Sequence, residues 1–180
     1  VAADDGALDV AAVRDQAASD PLRHYRAVVR TSGWVLVGNG DHVEPVAQSL
    51  AKGADPLAAL SPLIFEPDAP IFTSRICLAV RSLEPIRPPF FGYVRHRHDG
   101  GVDRVVWQVS ELAPGEGVLM TTYDGSAEHV RSTIAPVEVS IASLEPSNLI
   151  DEVWDGLDPA LRVGIAVTLP NARDRPLLRS

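Results

Sequence analysis

The sequence predicts an α+β fold built on antiparallel sheet, and three observations carry that prediction. Two pairs of apolar, β-branched segments flank glycine-containing turns, T-S-G at 31–33 and H-D-G-G at 98–101, in the way hairpins do. Helical periodicity is confined to a few stretches that carry their own start and stop residues. The 15 prolines and 13 glycines punctuate short periodic segments, with no internal repeat and no low-complexity tract.

The elements follow in order. Residues 7–18 have spacing compatible with a helix. Segments 25–30 and 34–37 make the first hairpin. N-G-D at 39–41 then leads into a helix with Val43, Val46, Ala47 and Leu50 on one face, Asp41 placed to cap it, Glu44 three residues on and Gly53 as its stop. Asp55-Pro56 opens a second short helix, because a missing N–H costs nothing in a first turn. Ile76, Leu78 and Val80 alternate with Arg75, Cys77 and Arg81 as a half-buried strand does. Segments 90–97 and 102–109 make the second hairpin, and 118–123 and 137–141 read as further strands. A helix at 147–157 presents Leu149, Ile150, Val153, Trp154 and Leu157 on one face, and a strand at 162–169 closes the fold. The tail 170–180 reads as flexible.

With 180 residues and 46% hydrophobic content the chain can bury one core, so a single domain spanning 1–180 is expected. Sixteen basic against 24 acidic residues give a net charge of −8, which supplies no field for gripping a nucleic acid polymer. A small anion held by local arginines remains compatible. The single cysteine, Cys77, excludes an internal disulfide and a Cys-rich zinc site, and fits a reducing cytoplasm. No apolar run approaches the roughly 18 residues of a membrane span.

Three segments could carry chemistry. V-G-N-G-D-H (37–42) joins a strand to a helix start, where backbone N–H groups suit an anion or a carbonyl oxygen; the plainer reading is a turn with a capping aspartate. In F-E-P-D-A-P-I-F-T-S-R-I (65–76) the prolines forbid helix at Glu66 and Ala69, so the carboxylates and Arg75 are presented along a preset path. The alternative is a stiffened connection whose charges face water. P-G-E-G (114–117) sets Glu116 between glycines just before a strand, where burial would make it an acid or base; otherwise it is a turn residue. His96 and His98 share a strand face without a third ligand at recognisable spacing, so no metal site is expected. Neither a nucleophile elbow nor a phosphate-cradling G-x-x-x-x-G-K occurs.

Taken together, N-G-D (39–41), F-E-P-D-A-P-x-F-T-x-R-I (65–76) and L-A-P-G-E-G followed by T-Y-D-G (112–125) resemble the archaeal-type IMP cyclohydrolase family, from about residue 25 to 169. The resemblance implies a layered fold like that of the N-terminal-nucleophile hydrolases, two antiparallel sheets between helices, without their self-processing chemistry. It implies closure of the purine ring of formamido-imidazole carboxamide ribotide with loss of water, no metal or organic cofactor, a purine ribotide or related nucleotide as the small-molecule partner, and a homo-oligomer. On that reading Arg75 serves the phosphate or the oxyanion, Asn39, Asp41 and Thr73 orient the base and carboxamide, Glu116 transfers protons and Asp68 is the second candidate. Ile71-Phe72 stands where the family pattern has Asn-Tyr, His42 where it has glutamine and Ser74 where it has proline, and a family N-terminal segment with strands and basic residues is not evident. Tyr123 or His42 could supply the donor that Phe72 lacks. A diverged relative acting in another cyclisation or amide hydrolysis, and a nucleotide-binding protein without catalysis, are the alternatives.

Overall fold

The computed structural model of the chain describes residues 7–11, 24–83, 88–126, 129–133, 135–170 and 176–180. Six strands, β1 (Leu8–Val10), β2 (Tyr25–Thr31), β3 (Trp34–Gly38), β4 (Arg75–Arg81), β5 (Phe90–His96) and β6 (Val102–Gln108), form one sheet in chain order. Every pairing in it is antiparallel. Between β3 and β4 the chain makes α1 (Val43–Ala51) and α2 (Pro56–Leu60).

Both helices lie on one face of this sheet, and the period-two pattern of the strands explains which face. Leu36 stands between Val29 on β2 and Ala79 on β4, all three directed at the helices. Val43, Val46, Ala47 and Leu50, one stripe of α1, are buried against them. Each such fully buried Val or Leu side chain contributes about 1.5–3 kcal/mol. Asp55 caps α2 by accepting from the N–H groups of Leu57 at 2.9 Å and Ala58 at 3.3 Å. Asp41, by contrast, is not the cap of α1. His42 occupies that position with no side-chain cap bond, and the Asp41 carboxylate turns instead to Arg75.

The C-terminal half departs more from the sequence reading. The strand predicted at 118–123 is two strands, β7 (Glu116–Leu119) and β8 (Tyr123–Ser126); β8 pairs with β9 (His129–Ser132), and β7 with β10 (Val137–Ser140). A period-two apolar pattern cannot show where the chain changes partner. Helix α3 (Pro146–Gly156) occupies its predicted place, while the strand at 162–169 shrinks to β11 (Ile165–Val167). Of the tail, 171–175 lies outside the described residues, and β12 (Leu177–Arg179) pairs with β11. The reason is a partner distant in sequence: Arg179 lies 5.3 Å from the Trp154 ring and bonds Asp151 and Asp155 of α3, and Arg162 covers the same ring at 4.7 Å. At the N-terminus, 8–10 is strand rather than helix, and 12–18 lies outside the described residues. In place of two full sheets between helices, the described residues thus give one six-stranded sheet and three two-stranded ribbons, all antiparallel. Arg30 of β2 ties the halves together through Thr168 Oγ1 at 2.6 Å and the Leu169 carbonyl at 3.0 Å.

Gly38 ends β3 where α1 and β4 come closest. A Cβ there would stand 2.5 Å from the Ile76 carbonyl oxygen and 2.7 Å from Val43 Cγ2. The backbone oxygen cannot yield as a flexible side chain would. Gly38→Ala is therefore expected to lower unfolding free energy by ~1–3 kcal/mol in urea titration, the usual cost of overpacking; an unchanged midpoint would mean that the helix and strand are less tightly seated than described.

Candidate active site

The N-G-D turn is fastened to β4 by one side chain. Asn39 Oδ1 accepts from the Ile76 N–H at 2.8 Å, and its Nδ2 donates to the Ser74 carbonyl at 2.9 Å and to Thr122 Oγ1 at 3.2 Å. Only a side chain with both an acceptor and two donors can make all three bonds. The turn, the start of β4 and the segment before β8 are thereby held at one end of the six-stranded sheet.

Arg75, the first residue of β4, lies with its guanidinium at the centre of that end. Its Nε donates to the Ile64 carbonyl at 3.0 Å. Its Nη1 is paired with the Asp41 carboxylate, donates to His42 Nδ1 at 3.3 Å and stands 3.9 Å from Glu66 Oε1. Because Nδ1 receives that bond, His42 carries its proton on Nε2, which donates to the Ile76 carbonyl at 3.0 Å. The imidazole is neutral: burial pulls its pKa from 6.5 down to about 4. Glu66 is the one buried carboxylate among the described residues, at 8% exposure, and burial raises its pKa, opposed by Arg75 and assisted by Asp68 and Asp41. Gly40 closes the cluster. A Cβ at Gly40 would lie 3.0 Å from Glu66 Oε1, 3.1 Å from His42 Nδ1 and 3.2 Å from Arg75 Nη1, so three functional atoms converge more closely than any side chain at position 40 would allow.

Asp68 and Thr73 do a different task. The carboxylate of Asp68 accepts the Thr73 N–H on one oxygen, at 2.7 Å, and the Thr73 hydroxyl on the other. Thr73 Oγ1, having given its own proton, accepts from the Tyr123 hydroxyl at 2.9 Å. This clamp closes the loop in which Phe72 adopts φ 51, a left-handed conformation that costs a bulky residue ~1–3 kcal/mol. The Phe72 ring is stacked on His96 at 4.4 Å and meets Phe65 edge-on at 5.4 Å, which offsets part of that cost.

Hydrogen bonds and ion pairs thus join Arg75 with Asp41 and His42, and Thr73 with Asp68 and Tyr123, while Asn39 ties the N-G-D turn to the neighbours of both groups and Phe72 packs beside Phe65 and His96. Glu116 is not among them. Its Oε2 turns back to accept the Ala113 N–H at 2.8 Å, and it lines a separate cleft with Trp107, Glu111, Val137 and Glu138. Two residues escaped the sequence reading. Glu66 shared its motif with Asp68, and nothing local marked which of the two is buried. Tyr25, at the start of β2, has its pKa raised by burial, by the charge of Glu66 and by Tyr123. The buried thiol of Cys77, pushed up to about 12, offers no nucleophile.

A buried carboxylate with a raised pKa facing a guanidinium, at the end of an antiparallel sheet with helices on one face, can give and take a proton. Residues 1–174 of the 180-residue chain match the family described as IMP cyclohydrolase-like protein, and the chain belongs to that family. No curated protein matches the chain.

The two shifted groups act on stability in opposite directions. The unfolded chain takes up a proton on His42 near 6.5 and the native protein only at about 4, so the contribution of neutral His42 is complete above pH 6.5 and is lost as pH falls through 4. That loss is on the order of 3 kcal/mol. Native Glu66 holds its proton more tightly than the unfolded chain does, so its contribution is present below its ordinary value of 4.5 and falls as pH rises through its native pKa. Urea unfolding of wild type and His42→Gln at pH 7.5 and pH 4 is expected to show a smaller acid loss in the variant; equal losses would place a proton on native His42.

Proposed function

We propose that this chain closes the purine ring of formamido-imidazole carboxamide ribotide, releasing water, with Glu66 as the proton carrier. The observation that carries the proposal is Glu66 itself: a buried carboxylate with a raised pKa, beside Arg75, within the family-matching segment. Ring closure needs such a group twice. First the carboxamide nitrogen attacks the formyl carbon, the new N–C bond forms, and the C=O pair moves onto the formyl oxygen. Glu66 takes the nitrogen's proton and passes it to that oxygen. Then Glu66 takes the proton of the formamido nitrogen and delivers it to the hydroxyl, which leaves as water as the C–O bond breaks and the C=N bond forms. No net proton is consumed. A carboxylate whose pKa lies nearer neutrality suits both directions of transfer.

Arg75 is then a positioning residue. Its Nε and Nη1 are engaged by Ile64, Asp41 and His42, and its charge holds Glu66 in place. The rest of the acceleration comes from holding the carboxamide against the formyl group, which can supply ~7–11 kcal/mol. The same reading aligns the fold with the layered N-terminal-nucleophile hydrolases; its support is antiparallel sheet with helices on one face. A second reading is favoured by Phe72, which puts a stacked ring without a hydroxyl where the family pattern has tyrosine: a relative whose pocket has moved to another nucleotide.

Incubating the protein with the formylated ribotide and following absorbance separates the two. Turnover to inosine monophosphate is expected, with kcat reduced ~10²–10⁴-fold in Glu66→Gln and KM changed little. An inactive Glu116→Gln beside an active Glu66→Gln would overturn the assignment of the carboxylate. Absence of both binding and turnover of the ribotide in wild type would favour the second reading.

A further inference from the structure

We infer that Tyr25 is a further catalytic residue, whose hydroxyl donates to the formyl oxygen as charge develops there. The inference rests on the ring-closure reading and deepens it. Attack on the formyl carbon drives an electron pair onto its oxygen before Glu66 can return the proton, and a fixed donor aimed at that oxygen stabilises the charge. The aromatic residue in the motif, Phe72, has no hydroxyl. A phenol must come from elsewhere in the chain.

The chain has three tyrosines, and their surroundings separate them. Tyr93 is buried on β5, where Arg95 and Asp103 are the charges that act on it. Tyr123 lies in the right neighbourhood, but its proton is already committed. The hydroxyl of Thr73 donates to Asp68, so the bond between Thr73 and Tyr123 has the phenol as donor. Tyr25 has no such commitment: its hydroxyl bonds to no described residue, and Glu66 and Tyr123 are the groups whose fields reach it.

Geometry brings Tyr25 to the edge of the site. The pairing of β2 with β3 runs from Thr31 opposite Trp34 to Val28 opposite Val37, and Tyr25 begins β2 at the end of the hairpin from which the chain leaves β3 through the N-G-D turn. Tyr25 lines a cavity of about 400 Å³ together with Asp41, Glu44 and His24. That volume lies within the range of small-molecule sites, ~300–1,000 Å³. Asp41, the partner of Arg75, is the wall that the cavity shares with the cluster.

The test compares wild type, Tyr25→Phe and Tyr123→Phe with the formylated ribotide, recording kcat, KM and thermal midpoint. Tyr25→Phe removes one oxygen that no described residue holds, so its midpoint should stay within about 2 °C of wild type. Its kcat should fall ~10²–10³-fold, the cost of one oxyanion donor, with KM changed less than about threefold. Tyr123→Phe should show the converse, a lowered midpoint from the broken loop clamp and a smaller loss of kcat. A Tyr25→Phe enzyme with wild-type kcat overturns the inference while leaving the ring-closure reading intact. So does a pure rise in KM, which would make Tyr25 a binding group. Wild type that produces no inosine monophosphate defeats the ring-closure reading and this inference with it.

Discussion

One guanidinium facing too many carboxylates organises this end of the molecule. The Arg75 side chain is 13% exposed, and a charge so nearly removed from water must be paired. Asp41 pairs with it directly and keeps nearly half of its own surface in solvent. Glu66 stands farther from the guanidinium, is drier, and feels Asp41 and Asp68 as like charges. A single cation cannot neutralise all three acids, and the driest of them is the one whose pKa is raised. Neutral His42 has a different origin: burial lowers its pKa first, and the Arg75 charge beside it adds to the effect. The chemistry proposed for Glu66 is a by-product of how the charges are divided.

That division depends on backbone placement. The turn 38–41 must pass close over β4 while sending Asp41 to one side and His42 beneath, and two glycines with Asn39 between them meet that demand. Gly38 permits the approach, Asn39 fixes the distance, and Gly40 lets Glu66, His42 and Arg75 draw together where a side chain would collide with them. The helix that follows owes its position to Val43, Val46 and Leu50 rather than to a cap, which frees the Asp41 side chain for Arg75.

The hairpins, α1, α2 and α3 were legible because their signals are local: alternation, a glycine turn, a stripe at helical spacing, a proline in a first turn. The motif around Arg75 was legible as a motif. What it does residue by residue was not. Glu66 and Asp68 are both acids beside proline, and only the fold shows that Thr73 occupies both oxygens of Asp68 while Glu66 faces the guanidinium. Glu116 read as a rim carboxylate because glycines flank it, yet a bond to an N–H three residues back lies beyond any spacing argument. Tyr25 sits at the start of a strand among unremarkable neighbours. Only the fold shows that it lines a cavity with Asp41 and feels the charge of Glu66. In the C-terminal half the strands are short and exchange partners, so periodicity gave places without pairings.

The bond from Tyr123 to Thr73 reaches across 50 residues of chain. The loop that carries Glu66, Phe72 and Arg75 is closed by its own Asp68, but its outer lock belongs to a ribbon made much later in synthesis. A polypeptide leaving the ribosome can complete its six-stranded sheet and both early helices and still hold a half-latched site. Closure of that loop is therefore completed by the second half of the chain.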